Sequence, residues 1–176
     1  MKSINFLISI IILFSATLGC GYHIMGKGGE FPEGITSLAI MPLENKTKEP
    51  NLSAIFVSAL RREFIFRREV EIVSEKKAQA SLQGTITSMS INSTAYDHEG
   101  RATEYRVTIT LDLLLVRKEN SAILWRGNGI KGSWNYKTPY TTPIDVMVNE
   151  GNKNNAIRKI GADLAEKIYI MIKERF

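Results

Sequence analysis

Cysteine and histidine are scarce in this chain, which contains one cysteine (Cys20) and two histidines (His23 and His98). A zinc site needs several converging ligands, and an internal disulfide needs a second cysteine. The sequence also lacks a Gly-x-Ser-x-Gly nucleophile elbow, and residues 26–29 lack the Gly-Lys-Ser/Thr ending of a phosphate loop. We therefore expect no catalytic residues, no metal and no other cofactor, and we predict that the protein is not an enzyme.

Residues 1–19 have the layout of a secretory signal peptide. Lys2 gives a positive start, an apolar run extends from Ile4 to Phe14, and small residues precede Cys20. The run is shorter than the roughly 20 apolar residues that a membrane-spanning helix needs. We therefore expect residues 1–19 to be removed.

The cysteine at the end of this run is a candidate lipidation site. Leu18-Gly19-Cys20-Gly21 resembles the lipobox of bacterial lipoproteins, which implies that Cys20 is acylated at the start of the mature chain. The alternative is a small buried cysteine. Because several acyl chains anchor a protein stably, we expect the mature chain to be held at a membrane surface outside the cytoplasm.

The rest of the chain divides into a tether and one domain. Residues 20–34 are rich in glycine and are predicted to form the lipidated N-terminus and tether, whereas residues 35–176 are predicted to form a single domain. The net charge is +5, and loss of Lys2 leaves about +4. This charge favours anionic partners such as phosphorylated lipid headgroups. The signal peptide argues against nucleic acid.

Hydrophobic periodicity predicts the elements of this domain in order. Buried strands are expected at 35–41 and 70–73, parallel to each other because a helix from Asn51 to Phe64 connects them. Asn51 is a possible cap of that helix. Further strands are expected at 82–93, 104–116 and 122–136, and an amphipathic helix from Ala156. The prediction is an α+β fold with two helices packed on a mostly antiparallel sheet of four to five strands, in the order β-α-β-β-β-β-α.

Three details of the strands and loops carry further expectations. In the strand at 82–93 the apolar positions change face after Ser88, which predicts a β-bulge. The strand at 104–116 has one apolar face and one hydrophilic face rich in threonine, suited to water or to the polar wall of another protein. Residues 137–155 show no clear period, and long loops of this kind are often functional.

Basic residues near aromatic residues or loops form a candidate surface for anions or glycolipids. They are Arg101, Arg106, Lys131, Lys137 and Lys153. The alternative for each is an ordinary solvated charge. A denser cluster, Arg61, Arg62, Arg67 and Arg68, lies at the end of the first predicted helix, where cations also complement the helix dipole.

The order of elements, together with Cys20-Gly21-Tyr22-His23 and the strand from Gly100 to Thr110, resembles the LptE family of lipopolysaccharide-assembly lipoproteins. This resemblance implies a domain of two helices on a four-stranded sheet, seated as a plug in the outer-membrane barrel LptD and binding lipopolysaccharide. The protein would lie at the outer membrane, on its periplasmic side or within the barrel lumen.

By the same resemblance, lipopolysaccharide contact is expected near the hairpin loop and the loop before the last helix. This implies His98, Arg101 and Lys153 as binding residues, with Lys137 in support. Replacing Arg101 and Lys153 by glutamate would then weaken binding while leaving folding intact.

A second resemblance implies another class of function. Residues 38–47 are similar to the opening strand and turn of LpoB-like and CsgG-like envelope lipoproteins. Such a protein would activate a peptidoglycan synthase or form a secretion assembly.

Overall fold

The computed structural model describes Phe31 and residues 34–138 and 143–175. The strands are β1 (Ser37–Ile40), β2 (Glu44–Asn45), β3 (Glu71–Ile72), β4 (Ala80–Tyr96), β5 (Ala102–Arg117) and β6 (Ile123–Lys137). The helices are α1 (Leu52–Arg67) and α2 (Pro143–Lys173), with a short 3-10 turn at Glu75–Lys77. The predicted α+β fold, with two helices on one sheet, is confirmed.

The sheet has six strands, in the order β3-β1-β4-β5-β6, with β2 paired to β4. The long strands β4, β5 and β6 are antiparallel, and β1 is parallel to both β3 and β4. The predicted parallel pairing across the first helix is therefore confirmed. The strand beyond the expected four to five is β2, which lies between β1 and α1.

The core lies between one face of the sheet and both helices. Its sheet side includes Leu82, Ile86, Val107, Ile109, Leu111, Leu113, Leu115, Trp125 and Ile130. Its helix side includes Leu52, Phe56, Leu60 and Phe64 of α1, and Ile157, Ile160, Leu164, Ile168 and Ile172 of α2. These are the alternating and helical stripes of the sequence, because burial of apolar surface selects the face that each element presents.

The change of face in β4 is produced by an irregularity at the predicted place. The register between β4 and β5 shifts between Ile86 and Ser88. Ile86 is fully buried, whereas Ser88 is exposed. The predicted β-bulge is confirmed.

The expected start of the last helix is wrong. This helix begins at Pro143 instead of Ala156, so most of the predicted loop at 137–155 is helical. Proline fits the first turn of a helix because the missing N–H has no helical partner there. The first half of α2 extends beyond the core, and the exposed side chains of Val146 and Met147 leave no apolar stripe for the sequence pattern to detect.

Asn51 precedes α1 without capping it through its side chain. Its backbone is left-handed, with φ of 64°, and its side chain makes no capping hydrogen bond. The carbonyl of Asn51 accepts a hydrogen bond from the N–H of Ile55 at 3.1 Å. The predicted start of the helix is correct to within one residue, but the interpretation of the Asn51 side chain as a cap is wrong.

The core extends before the first strand. Phe31 is 1% exposed, and its ring meets that of Phe64 edge to face, with centroids 5.9 Å apart. Phe31, which belongs to the segment predicted as a tether, is therefore fixed to the C-terminal end of α1. Within the described residues, neither helix is both long and apolar enough to cross a membrane.

Candidate functional site

The strand register defines two opposite ends of the molecule. Ser37 pairs with Glu71 at the start of β3, and Leu38 pairs with Ala80 at the start of β4. The C-terminal end of α1 therefore lies at the end where β4 begins, which we call the α1 end. β4 has 17 residues, which corresponds to roughly 55 Å of strand. At its far end lies the hairpin tip, residues 97–101.

The hairpin tip is held in one conformation by Asp97. One oxygen of its carboxylate accepts hydrogen bonds from the backbone N–H groups of Glu99 and Arg101, both at 2.9 Å. These contacts, beginning with the backbone N–H of Arg101, lower the pKa of Asp97. Gly100 has φ of 78°, a left-handed conformation that glycine adopts without strain. The tip is thus an ordered turn.

Arg101 and His98 both lie at this tip, but they differ in their surroundings. The guanidinium of Arg101 contacts the carboxylates of Asp97 at 2.9 Å and Glu99 at 2.8 Å. The imidazole of His98 is 86% exposed and lies 3.6 Å from Glu99. Two carboxylates accompany one guanidinium here, so an anion would have to displace existing ion pairs to reach Arg101.

Lys153 has a structural role. Its ammonium contacts Glu150 of α2 at 2.8 Å and Glu49, in the segment before α1, at 3.2 Å. The hydrogen bond with Glu150 is the main cause that raises the pKa of Lys153. Since the side chain is only 15% exposed, Lys153→Glu would place a third carboxylate beside Glu49 and Glu150. That variant would confuse a loss of binding with a loss of stability.

Lys137 lies at the mouth of a surface cleft between β6 and α2. We call this the β6–α2 cleft; it has a volume of about 300 Å³ and is lined by Trp134, Tyr136, Lys137, Asn152, Asn155, Ala156 and Lys159. The side-chain amide of Asn152 donates to the carbonyl of Lys137 at 3.0 Å, which fixes the strand end to the helix. Trp134 is 42% exposed.

A stacked pair of tyrosine rings supports the β6–α2 cleft, and the lysines that line it form no ion pairs. The ring of Tyr136 stacks on Tyr105 of β5 with centroids 5.7 Å apart, and burial raises the pKa of Tyr136. Among the described residues, neither Lys137 nor Lys159 forms an ion pair. The cleft therefore combines an aromatic wall, side-chain amides and the uncompensated ammonium group of Lys159. Lys137 pairs with Glu104 in the register of β5 and β6, so its side chain belongs to the sheet face that also carries Asn135.

The structure brings three of the four predicted binding residues to the hairpin end. His98 and Arg101 lie on the tip, and Lys137 lies on the adjoining strand end, where the N–H of Thr138 donates to the carbonyl of Thr103 at 3.1 Å. Lys153 lies next to this group but is occupied by carboxylates. The sequence reasoning missed Lys159, which appeared only as a polar position beside the apolar stripe of α2. Its relation to Trp134 depends on how α2 packs on β6.

The face of the sheet opposite the helices is hydrophilic. Three rows of paired residues cross it: Asn92, Arg106 and Asn135; Ser90, Thr108 and Ser133; Ser88, Thr110 and Lys131. Their side chains are exposed or half-buried, and Arg106 donates to the amide oxygen of Asn135 at 2.9 Å. The predicted threonine-rich face of β5 is therefore part of a polar surface that is three strands wide.

Comparison with known proteins identifies a family model that matches residues 35–172, LptE, described as lipopolysaccharide-assembly. No curated protein sequence matches the chain.

Three solved structures share the fold at low sequence identity. Rare lipoprotein B from Shewanella oneidensis has a TM-score of 0.53 and 13% identity, covering 80% of this chain and 96% of its own. Lipoprotein B from Nitrosomonas europaea has a TM-score of 0.52 and 11% identity, covering 85% and 92%. The hypothetical protein CT253 from Chlamydia trachomatis has a TM-score of 0.50 and 7% identity, covering 78% and 98%. At such identities the likeness concerns the fold alone.

Proposed function

Because the chain belongs to the LptE family of lipopolysaccharide-assembly proteins, we propose that it is an outer-membrane lipoprotein that binds lipopolysaccharide and plugs an LptD-like barrel. Its anchor would be lipid on Cys20, which lies outside the described residues. Its role would be binding and assembly instead of catalysis.

The observation that carries the binding proposal is the β6–α2 cleft. Lipopolysaccharide presents phosphates on lipid A and sugars in its core. Lys159 at the cleft and Lys137 at the adjoining end of β6 can each donate charge-assisted hydrogen bonds to a phosphate, because among the described residues neither forms an ion pair with a carboxylate. The exposed ring of Trp134 offers a flat surface for the C–H face of a sugar. The side-chain amides of the cleft can bind sugar hydroxyls.

The polar sheet face supports the plug proposal. The inner wall of a barrel that transports a polar molecule is itself polar. Serine, threonine and asparagine side chains can exchange hydrogen bonds with water for hydrogen bonds with such a wall. An apolar face would pack poorly there, and the described face has three rows of polar groups in register.

Recovery of a barrel partner tests the plug proposal directly. The chain carries a purification tag after Phe176, outer membranes are solubilised in mild detergent, and co-purifying proteins are identified by mass. We expect a large β-barrel protein in equal amount, which protects this chain from added protease. Recovery alone, as a homo-oligomeric ring, or with a peptidoglycan synthase would contradict the plug and favour the LpoB-like or CsgG-like alternative.

Neutralising these two lysines tests the binding proposal. We expect Lys137→Gln with Lys159→Gln to weaken lipopolysaccharide binding about a hundredfold, since each charge-assisted hydrogen bond is worth about one decade of affinity. The measurement is titration of purified protein with lipopolysaccharide.

The matched control is Lys76→Gln with Lys77→Gln, which removes the same charge from exposed positions at the α1 end. Equal loss in both double variants would show that binding depends on net charge and not on the cleft. The same titration of Arg101→Gln tests whether the hairpin tip contributes.

A further inference from the structure

Two large apolar side chains of α1 are exposed near its C-terminal end. Ile65 is 59% exposed and Phe66 is 75% exposed. They border a shallow surface depression of about 720 Å³, lined by Ser58, Arg61, Arg62, Ile65, Phe66 and Arg68. Helical spacing of four residues places Arg61 beside Ile65 and Arg62 beside Phe66. We call the three arginines with Ile65 and Phe66 the α1 patch.

The arginines of the α1 patch have no acidic partners. Among the described residues, none of the three forms an ion pair. The guanidinium of Arg61 donates a long hydrogen bond to the backbone carbonyl of Ile40, at 3.4 Å. Glu63 is the only acidic residue of α1, and its carboxylate is occupied by Arg67. The patch therefore presents uncompensated positive charge around apolar side chains.

Arg67 shows what a structural arginine looks like at the same place. It contacts Glu63 at 2.7 Å and Glu166 of α2 at 3.3 Å, and it lies 5.0 Å above the ring of Tyr169. The contacts with Glu166 and Tyr169 hold α1 to α2. The three patch arginines make no comparable contacts, although packing of the helix end would have used them if the fold required it. Apart from the helix dipole, which cations near the C-terminal end of α1 complement, the described domain gives these three arginines no charged partner.

The N-terminal segment places a membrane near this patch. Phe31 packs on Phe64, two residues before Phe66 in α1. Cys20 is eleven residues before Phe31, so a lipid on Cys20 lies at most roughly 40 Å from the α1 end. The hairpin tip is roughly 55 Å further along β4. An anchored molecule therefore reaches the membrane with its α1 end more readily than with its hairpin tip.

We propose that the α1 patch binds the anionic phospholipid surface of the membrane in which Cys20 is anchored. This inference rests on the lipid anchor of the proposed function. The arginines bind headgroup phosphates while Phe66 and Ile65 enter the interface between headgroups and acyl chains. Together with the anchor, this second attachment fixes the orientation of the domain, with the hairpin tip and the β6–α2 cleft at the end remote from the α1 patch.

Fluorescence quenching by brominated lipids tests this contact in the full lipidated protein. Phe66→Trp is reconstituted into vesicles of phosphatidylethanolamine and phosphatidylglycerol, with bromine on the acyl chains. The matched control is Met147→Trp, since Met147 is 78% exposed and lies on α2 at the hairpin end. Both variants retain Trp125 and Trp134 as the same background. Flotation of the vesicles reports separately whether the anchor holds the protein.

We expect strong quenching of Phe66→Trp and little quenching of Met147→Trp in the anionic vesicles. Arg61→Gln, Arg62→Gln and Arg68→Gln together should reduce the quenching of Phe66→Trp at least about twofold, as should vesicles of phosphatidylcholine alone. Three results would overturn the proposed lipid contact in protein that floats with the vesicles. They are equal quenching of the two introduced tryptophans, no quenching of either, and quenching that does not depend on the charge of the lipid. Shielding of Phe66→Trp by a co-purified protein instead of by lipid would also overturn it. Failure to float would instead contradict the anchor at Cys20.

Discussion

Phe31→Ala is expected to lower the free energy of unfolding by about 3–5 kcal/mol. The side chain is 1% exposed and packs edge to face on Phe64, which in turn meets Tyr169 of α2 with ring centroids 5.4 Å apart. Removing the first ring leaves a cavity next to the other two, and both helix ends must then relax or remain poorly packed. Urea unfolding followed by circular dichroism measures the change.

Phe66→Ala is the matched control for this substitution. It removes the same atoms from the same helix end, but Phe66 is largely exposed. We expect a change within about 0.5 kcal/mol, as for most surface substitutions. If Phe31→Ala changed the free energy of unfolding as little as Phe66→Ala, Phe31 would not belong to the core and the residues before β1 would be only a tether.

Strands with one buried face could be predicted from the sequence because burial of that face requires apolar residues at every second position. Val107, Ile109 and Leu111 alternate with polar residues along β5, and all three are fully buried. The second half of α2 is equally clear, since Ile157 and Ile160 begin a stripe that continues to Ile172. In each case one side of the element faces the core, so a single period describes it.

The first half of α2 could not be predicted in this way because none of the side chains described between residues 146 and 155 is fully buried. Val146 and Met147 are exposed, and the asparagines that follow are typical of loops. Only Pro143, at the first turn, indicated a helix start. Lys153 was predicted to be a lipopolysaccharide-binding residue, and its pairing with Glu49 could not be predicted because Glu49 is distant in sequence and is brought near it only by the fold.

Much of the candidate site depends on the same long-range packing. The basic residues near β6 were recognisable from the sequence, and Lys137 does line the β6–α2 cleft. The sequence could not show that Arg101 is paired with two carboxylates, or that Lys159 lines the same cleft as Trp134. Composition identifies a chain that favours anions, whereas the unpaired cations are known only after every ion pair has been located.

Ion pairs help to hold the ends of α1 and α2 together at the α1 end. Burial is the largest single influence on Glu69 and opposes its ionisation, but the hydrogen bond from Lys173, at 2.6 Å, together with Tyr169 and the positive charges of Lys173 and Arg67 outweighs it, so the pKa of Glu69 is lowered. Arg67 joins α1 to α2 through Glu166, while Glu63 of α1 also contacts its guanidinium. The helix ends that support Phe31 are therefore cross-linked by charge as well as by aromatic packing. The α1 patch lies on this rigid base.

Gly84→Ala is expected to destabilise the protein by roughly 3 kcal/mol, at the upper end of the usual cost of overpacking. Gly84 lies in β4 opposite Leu113 of β5. A β-carbon there would collide with the backbone carbonyl oxygen of Asp112 and would lie 2.9 Å from the Cα of Leu113. Backbone atoms of a central strand cannot rotate away as a side chain can, so the pairing of β4 with β5 must shift. Urea unfolding again measures the effect.

Gly151→Ala is the control, because Gly151 lies in α2 and a β-carbon at that position meets nothing within 4 Å. Alanine loses less backbone entropy than glycine on entering a helix, so this variant should gain up to about 1 kcal/mol. The same chemical change is thus expected to have opposite signs at the two sites. A stable Gly84→Ala protein would mean that β4 and β5 are further apart than described, and the register that aligns the polar rows of the open face would then be in doubt.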